Sequence, residues 1–89
     1  MSKIEEMVQK LIENEVENLG YNLYDIEYVK EGKDYFLRIY IDKKEGISLK
    51  DCELVSNNIN DILDKADYIK EQYFLEVSSP RSRTYFKKR

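Results

Sequence analysis

The chain has 89 residues, 42% hydrophobic and 37% charged, with one proline, three glycines, a net charge of -3, no histidine and a single cysteine. A chain this short holds one core; one cysteine excludes an internal disulfide, and the lack of histidine excludes a structural zinc site and an imidazole general base. No apolar run approaches a bilayer span and the first residues lack a secretory pattern, so a cytoplasmic protein with no membrane partner is expected.

Ile4, Met7, Val8, Leu11, Ile12, Val16 and Leu19 recur at steps of three and four, one stripe of an amphipathic helix. Ser2 and Glu5 form a capping box and Gly20 supplies a left-handed stop, so the helix is expected from Lys3 to Leu19. Glu5, Glu6, Glu13, Asn14 and Glu17 are expected to point away from the stripe, making an acidic outer face. From Tyr21 the composition turns to Tyr, Ile and Val, and Tyr24, Ile26 and Tyr28 alternate with Asp25 and Glu27 as in a half-buried strand. The polar stretch from Lys30 to Asp34 contains the glycine of a hairpin bend, and Tyr35 to Asp42 returns. Tyr35, Leu37, Ile39 and Ile41 share the core face of that strand; Phe36, Arg38, Tyr40 and Asp42 share the other.

Ser48 and Asp51 repeat the capping arrangement before a second stripe of Cys52, Val55, Ser56, Ile59, Ile62 and Leu63, predicting a helix over Leu49 to Asp64. Cys52 falls on that stripe, which makes it a small buried hydrophobe. After a linker from Lys65 to Gln72, Tyr73, Leu75 and Val77 alternate against Phe74 and Glu76 as a third strand, closed by Ser78-Ser79-Pro80. Helix, strand, strand, helix, strand implies a two-layer α+β domain over residues 1–80, both helices on one face of a three-stranded sheet, with Leu11, Leu37, Ile39, Val55, Ile59 and Leu75 in its core.

Residues 81–89 hold five basic side chains, Arg81, Arg83, Lys87, Lys88 and Arg89, and no acid, so this tail carries +5 and the rest of the chain -8. The split reads either as two surfaces for two kinds of partner or as a solvated exterior with a basic end. Tyr85 and Phe86 could stack on a base or extend a strand; an unordered end is expected, whose deletion leaves the fold intact.

The stretch Glu27-Tyr28-Val29-Lys30-Glu31-Gly32, then Tyr35 to Asp42, then Gly46-Ile47-Ser48-Leu49 with Asp51-Cys52-Glu53-Leu54-Val55-Ser56, resembles the N-terminal domain of the bacterial ribosome maturation factor RimP. Leu75-Glu76-Val77-Ser78-Ser79-Pro80 is similar to the end of that domain, and the resemblance runs from Lys3 to Pro80. It implies a protein that joins the assembling small ribosomal subunit and assists its maturation without covalent chemistry or a cofactor. The sequence departs from the family after Pro80, where Arg81-Ser82-Arg83-Thr84-Tyr85-Phe86 stands in place of a glycine and a leucine-aspartate-arginine-proline type sequence. Family members continue into an SH3-like barrel, which nine residues are too few to form.

No glycine-rich phosphate loop and no nucleophile beside a base is present, so no catalytic constellation is expected. Paired acids such as Glu13 and Glu17 lie on an exposed helix face and read as solvated, with no metal site. Phe36, Arg38 and Tyr40 interleave aromatic and basic groups as a nucleic-acid contact does, and equally as a plain covered sheet does. Two functions follow. One is an RNA-proximal assembly factor that contacts ribosomal RNA through Arg38, Arg81, Arg83, Lys87, Lys88 and Arg89, with Phe36 and Tyr40 as exposed aromatics. The other is an adaptor whose acidic helix residues Glu6, Glu13 and Glu17 grip a basic ribosomal protein.

Overall fold

The computed structural model describes residues 1–81 and 85–88, with the side chains of Tyr85 and Lys88 outside the description. Helix α1 spans Lys3–Asn18, strands β1 and β2 span Asn22–Glu31 and Asp34–Asp42, helix α2 spans Leu49–Ala66, and strands β3 and β4 span Tyr73–Ser78 and Tyr85–Lys88.

Both capping boxes form. Ser2 Oγ accepts from the Glu5 amide at 3.2 Å while Glu5 Oε1 accepts from the Ser2 amide at 2.8 Å. Ser48 Oγ accepts from the Asp51 amide at 3.2 Å and Asp51 Oδ2 accepts from the Ser48 amide at 2.7 Å. These bonds satisfy amides that the first turn of a helix leaves open. Gly20, at φ +99°, turns the chain out of α1. Between β1 and β2, Glu31 opposes Asp34 across a two-residue turn that begins with Gly32 at φ +63°, the glycine-first arrangement of a type II′ hairpin.

The sheet runs β1-β2-β3-β4, with β1/β2 and β3/β4 antiparallel and β2/β3 parallel. Helix α2 is the crossover that a parallel pair requires. Val8, Ile12 and Val16 of α1 and Cys52, Val55 and Ile59 of α2 meet Leu37, Ile39, Ile41, Leu75 and Val77 of the sheet, all fully or almost fully buried on one face. Leu11 is only half-buried, because it sits at the flank of a stripe centred on Val8, Ile12 and Val16. Glu5 departs from the expected outward face: its Oε2 accepts from the Tyr28 amide of β1 at 2.8 Å, which stitches the first turn of α1 to the sheet.

The expected three-stranded sheet is corrected to four strands, and the order to α-β-β-α-β-β. Past Pro80 the chain turns and comes back antiparallel to β3, so that Tyr85–Lys88 takes up backbone groups that would otherwise be a bare edge. Phe86 lies opposite Val77 and packs against the core. Residues 85–88 are therefore part of the sheet, which corrects the expectation of an unordered end that could be removed without effect on the fold. The remainder of the tail, Arg83 and Arg89 included, lies outside the described residues.

Candidate functional site

With both helices on one face of the sheet, the other face is open. Its side chains follow from the register. Glu27, Arg38, Glu76 and Lys87 form one row across all four strands, alternating in sign; Val29, Phe36 and Phe74 form the row on one side of it. Asp25, Tyr40 and Ser78 form the row on the other side.

Arg38 is the hub of this face. Its Nε donates to Glu76 Oε1 at 2.9 Å, its two terminal nitrogens donate to the two oxygens of Glu31 at 3.0 Å each, and Glu27 lies 3.8 Å away. The fork-to-fork bond with Glu31 and then the bond to Glu76 hold the guanidinium charged far above any working pH, and the same contact holds the Glu31 carboxyl below its ordinary value. A guanidinium so engaged has few donors left for a phosphate.

Phe36 and Phe74 stack at 5.4 Å between centroids, with Arg38 4.8 Å from the Phe36 ring and Lys87 4.8 Å from the Phe74 ring. Lys87 is exposed and has no carboxylate partner among the described residues, so a cation stands over an aromatic pair. Phe36, Arg38, Tyr40 and Lys87 are thus gathered on one surface, where Phe36, stacked on Phe74, and Tyr40, bonded to Glu27, are half-buried rather than exposed as expected. Phe74 and Glu76 belong to it as well; the alternation of the third strand had placed them together on the face away from the core without assigning them a role.

Arg81 lies elsewhere. It sits at the opposite end of the sheet from Phe36 and Phe74, donating to Asp42 Oδ1 at 3.0 Å from Nε and 2.8 Å from Nη2, and also to the Lys43 carbonyl. Lys88 is placed by its backbone alone, opposite Leu75. Among the described side chains, Arg38 and Lys87 thus stand on the open face and Arg81 at one corner of the sheet.

The acidic candidates are on the far side of the molecule, on α1. Glu6 and Glu17 are exposed with no partner among the described residues, and Glu13 is half-buried, accepting from Gln9 Nε2 at 3.3 Å. Lys3 and Lys10, also exposed, share this face by helical spacing, so it is less uniformly acidic than the glutamates alone suggested.

Cys52 is fully buried, and burial, then the charge of Asp51, pushes its thiol up to about 11. The thiol is inert at neutral pH, in keeping with the small-hydrophobe reading. Among the described residues no group of acids and cysteine is arranged to hold a metal ion, and no helix is long and apolar enough to cross a membrane.

The model of the RimP N-terminal domain family matches residues 11–81, which takes in the second half of α1, the first three strands, α2 and the turn at Arg81. By that match, over most of its length, the chain belongs to the RimP N-terminal domain family, a family of ribosome maturation factors.

Proposed function

We propose that the protein binds the assembling small ribosomal subunit in the cytoplasm and assists its maturation without catalysing a covalent step. The observation that carries this reading is the family match over residues 11–81. The charge layout fits it. Basic groups at the end of the chain, Arg81, Lys87 and Lys88 with Arg83 and Arg89, would meet ribosomal RNA, and Arg38 would hold the open face in shape while Phe36 makes contact. With at most five cations, and Arg81 shared with Asp42, about three phosphates would be neutralised, so the logarithmic salt slope for RNA binding would be roughly -2 to -3. The test is sedimentation of the labelled protein with immature and mature small subunits through a sucrose gradient. Co-migration with the immature particle is expected; migration with neither would overturn the proposal.

A second reading has one observation in its favour. Glu6 and Glu17 have no partner among the described residues and stand on the layer opposite the open sheet face. They would receive a basic ribosomal protein without direct RNA contact. Substituting Glu6, Glu13 and Glu17 together by Gln separates the two: particle binding lost in that variant but kept when the basic tail is neutralised would favour the adaptor.

A further inference from the structure

Strand β1 does not keep its alternation throughout. Leu23 opposes Ile41 on the helix side, whereas Asp25 opposes Tyr40 on the open side, so Tyr24 is the extra residue of a bulge. Bulges re-aim side chains, and Tyr24 is 66% exposed. It lines a recess of about 290 Å³ together with Asp25, Glu27, Tyr40 and Pro80.

The composition of that recess is one-sided. Both charged residues in it are acids, and the other three offer two phenol rings and a proline. Asp25 gives one oxygen to the Ile26 amide at 2.8 Å, and its other oxygen has no partner among the described residues. Glu27 Oε1 accepts from the Tyr40 hydroxyl at 3.2 Å and its nearest cation, Arg38, is 3.8 Å away, leaving Oε2 without a partner among the described residues. Two aromatic walls and two under-used carboxylates suit a cation at an exposed recess. The volume suits a single side chain better than a drug-sized molecule.

We infer that this recess is a binding site for a cationic side chain, arginine in particular, presented by a partner protein. The guanidinium would lie against Tyr24 and Tyr40 and donate to Asp25 and Glu27; its planar fork and weak hydration favour it over an ammonium in such a setting. A nucleic acid is disfavoured, because its phosphates would approach two carboxylates. The inference goes beyond the ribosomal reading, since it depends on neither the basic tail nor the acidic helix face.

The probe is N-acetyl-arginine amide, titrated into the isotopically labelled full chain and followed by amide chemical shifts. Saturable shifts centred on Tyr24, Asp25, Glu27 and Tyr40 are expected, with no binding of the neutral citrulline counterpart. Tyr24→Ala should weaken the affinity about threefold, the size of an exposed cation–π contact. Asp25→Asn should weaken it by a similar factor while keeping an acceptor for the Ile26 amide, so that loss of fold is not mistaken for loss of the site. Equal binding of citrulline, or shifts of equal size along Glu6, Glu13 and Glu17, would overturn the inference. So would an oligouridylate that shifts the same four residues. An Arg83→Ala chain that binds the probe severalfold more tightly than the parent would reassign the recess to the protein's own tail, and would equally overturn a partner side chain as its occupant.

Discussion

The Tyr21 hydroxyl donates a hydrogen bond to Oδ1 of Asp51, joining the residue just past the glycine that ends α1 to the third residue of α2. The same carboxylate accepts from the Ser48 amide at 2.7 Å and the Ser48 hydroxyl at 2.9 Å, with Lys43 Nζ at 3.5 Å. Burial, and then Asp51, pushes the Tyr21 hydroxyl up to about 12. The bond from Tyr21, and then that from the Ser48 amide, holds Asp51 down at about 2.

A carboxyl lowered by folding from 3.8 to about 2 contributes stability that is fully present above its unfolded value and disappears as pH falls through its folded one. Asp51→Asn should therefore lower the urea midpoint at neutral pH. The gap from the parent should close as pH falls from about 4 to 2. Asp51→Ala, which also removes the cap, should cost about 1 kcal/mol more. A gap independent of pH would show that the charge of Asp51 contributes nothing.

Arg38→Ala leaves Glu27, Glu31 and Glu76 facing one another with no guanidinium between them. Stability should fall by about 2 kcal/mol, the scale of hydrogen bonds to charged groups. The Glu31 carboxyl, freed of its fork, should titrate at a higher pH, which side-chain carbon shifts measured against pH will read. Arg38→Lys keeps the charge and loses the fork, so it should fall between the two.

The core offers a pair of opposite sign. Ile39 is fully buried, and Ile39→Ala should cost about 2 to 5 kcal/mol. Ser56 is as deeply buried, and its hydroxyl has no hydrogen-bond partner among the described residues. Ser56→Ala removes an unsatisfied polar group and should leave stability unchanged or raise it by about 1 kcal/mol. Urea unfolding of the two variants beside the parent checks both signs.

Phe86 anchors β4 on the core, so Phe86→Ala should cost about 2 kcal/mol, less than the removal of a fully buried ring. Deleting residues 82–89 should lower stability further and speed hydrogen exchange along β3, where the edge would be bared. An unchanged midpoint after deletion would mean that β4 contributes no stability to the sheet.

The parts of this fold legible in the sequence are those written by local rules. Ser2 with Glu5 and Ser48 with Asp51 mark both helix starts, and the alternation from Tyr35 to Asp42 separates the two faces of β2. The parts that stayed hidden depend on contacts distant in sequence. The alternation of Tyr24, Ile26 and Tyr28 reads as one face; the bulge that turns Tyr24 outward leaves no mark in it. The end of α2 carries no glycine, since Asp67 itself adopts the left-handed conformation at φ 52°, and the supposed linker beyond it buries Ile69. Strand β4 has one aromatic pair among basic residues, too little pattern to announce a strand until β3 offers it an edge. On the open face, the grouping of Phe36, Arg38 and Tyr40 is legible from their interleaving alone, whereas the three carboxylates around Arg38 come from β1 and β3 and become its partners only once the sheet is assembled.

The central ladder of the sheet has a consequence for the order of events during folding. Strands β2 and β3 are parallel, so Tyr35 meets Tyr73 only after the chain has run the length of α2. The β1/β2 hairpin closes from near neighbours across a two-residue turn, a fast local step. The β2/β3 seam instead requires closure of a long loop, and α2 must dock for Leu75 and Val77 to be covered. A nascent chain thus carries the β1/β2 pair with its apolar-sided β2 edge still bare until residues through Ser78 have left the exit tunnel. That interval, rather than the mature fold, is when this protein is most exposed to mispairing with another strand.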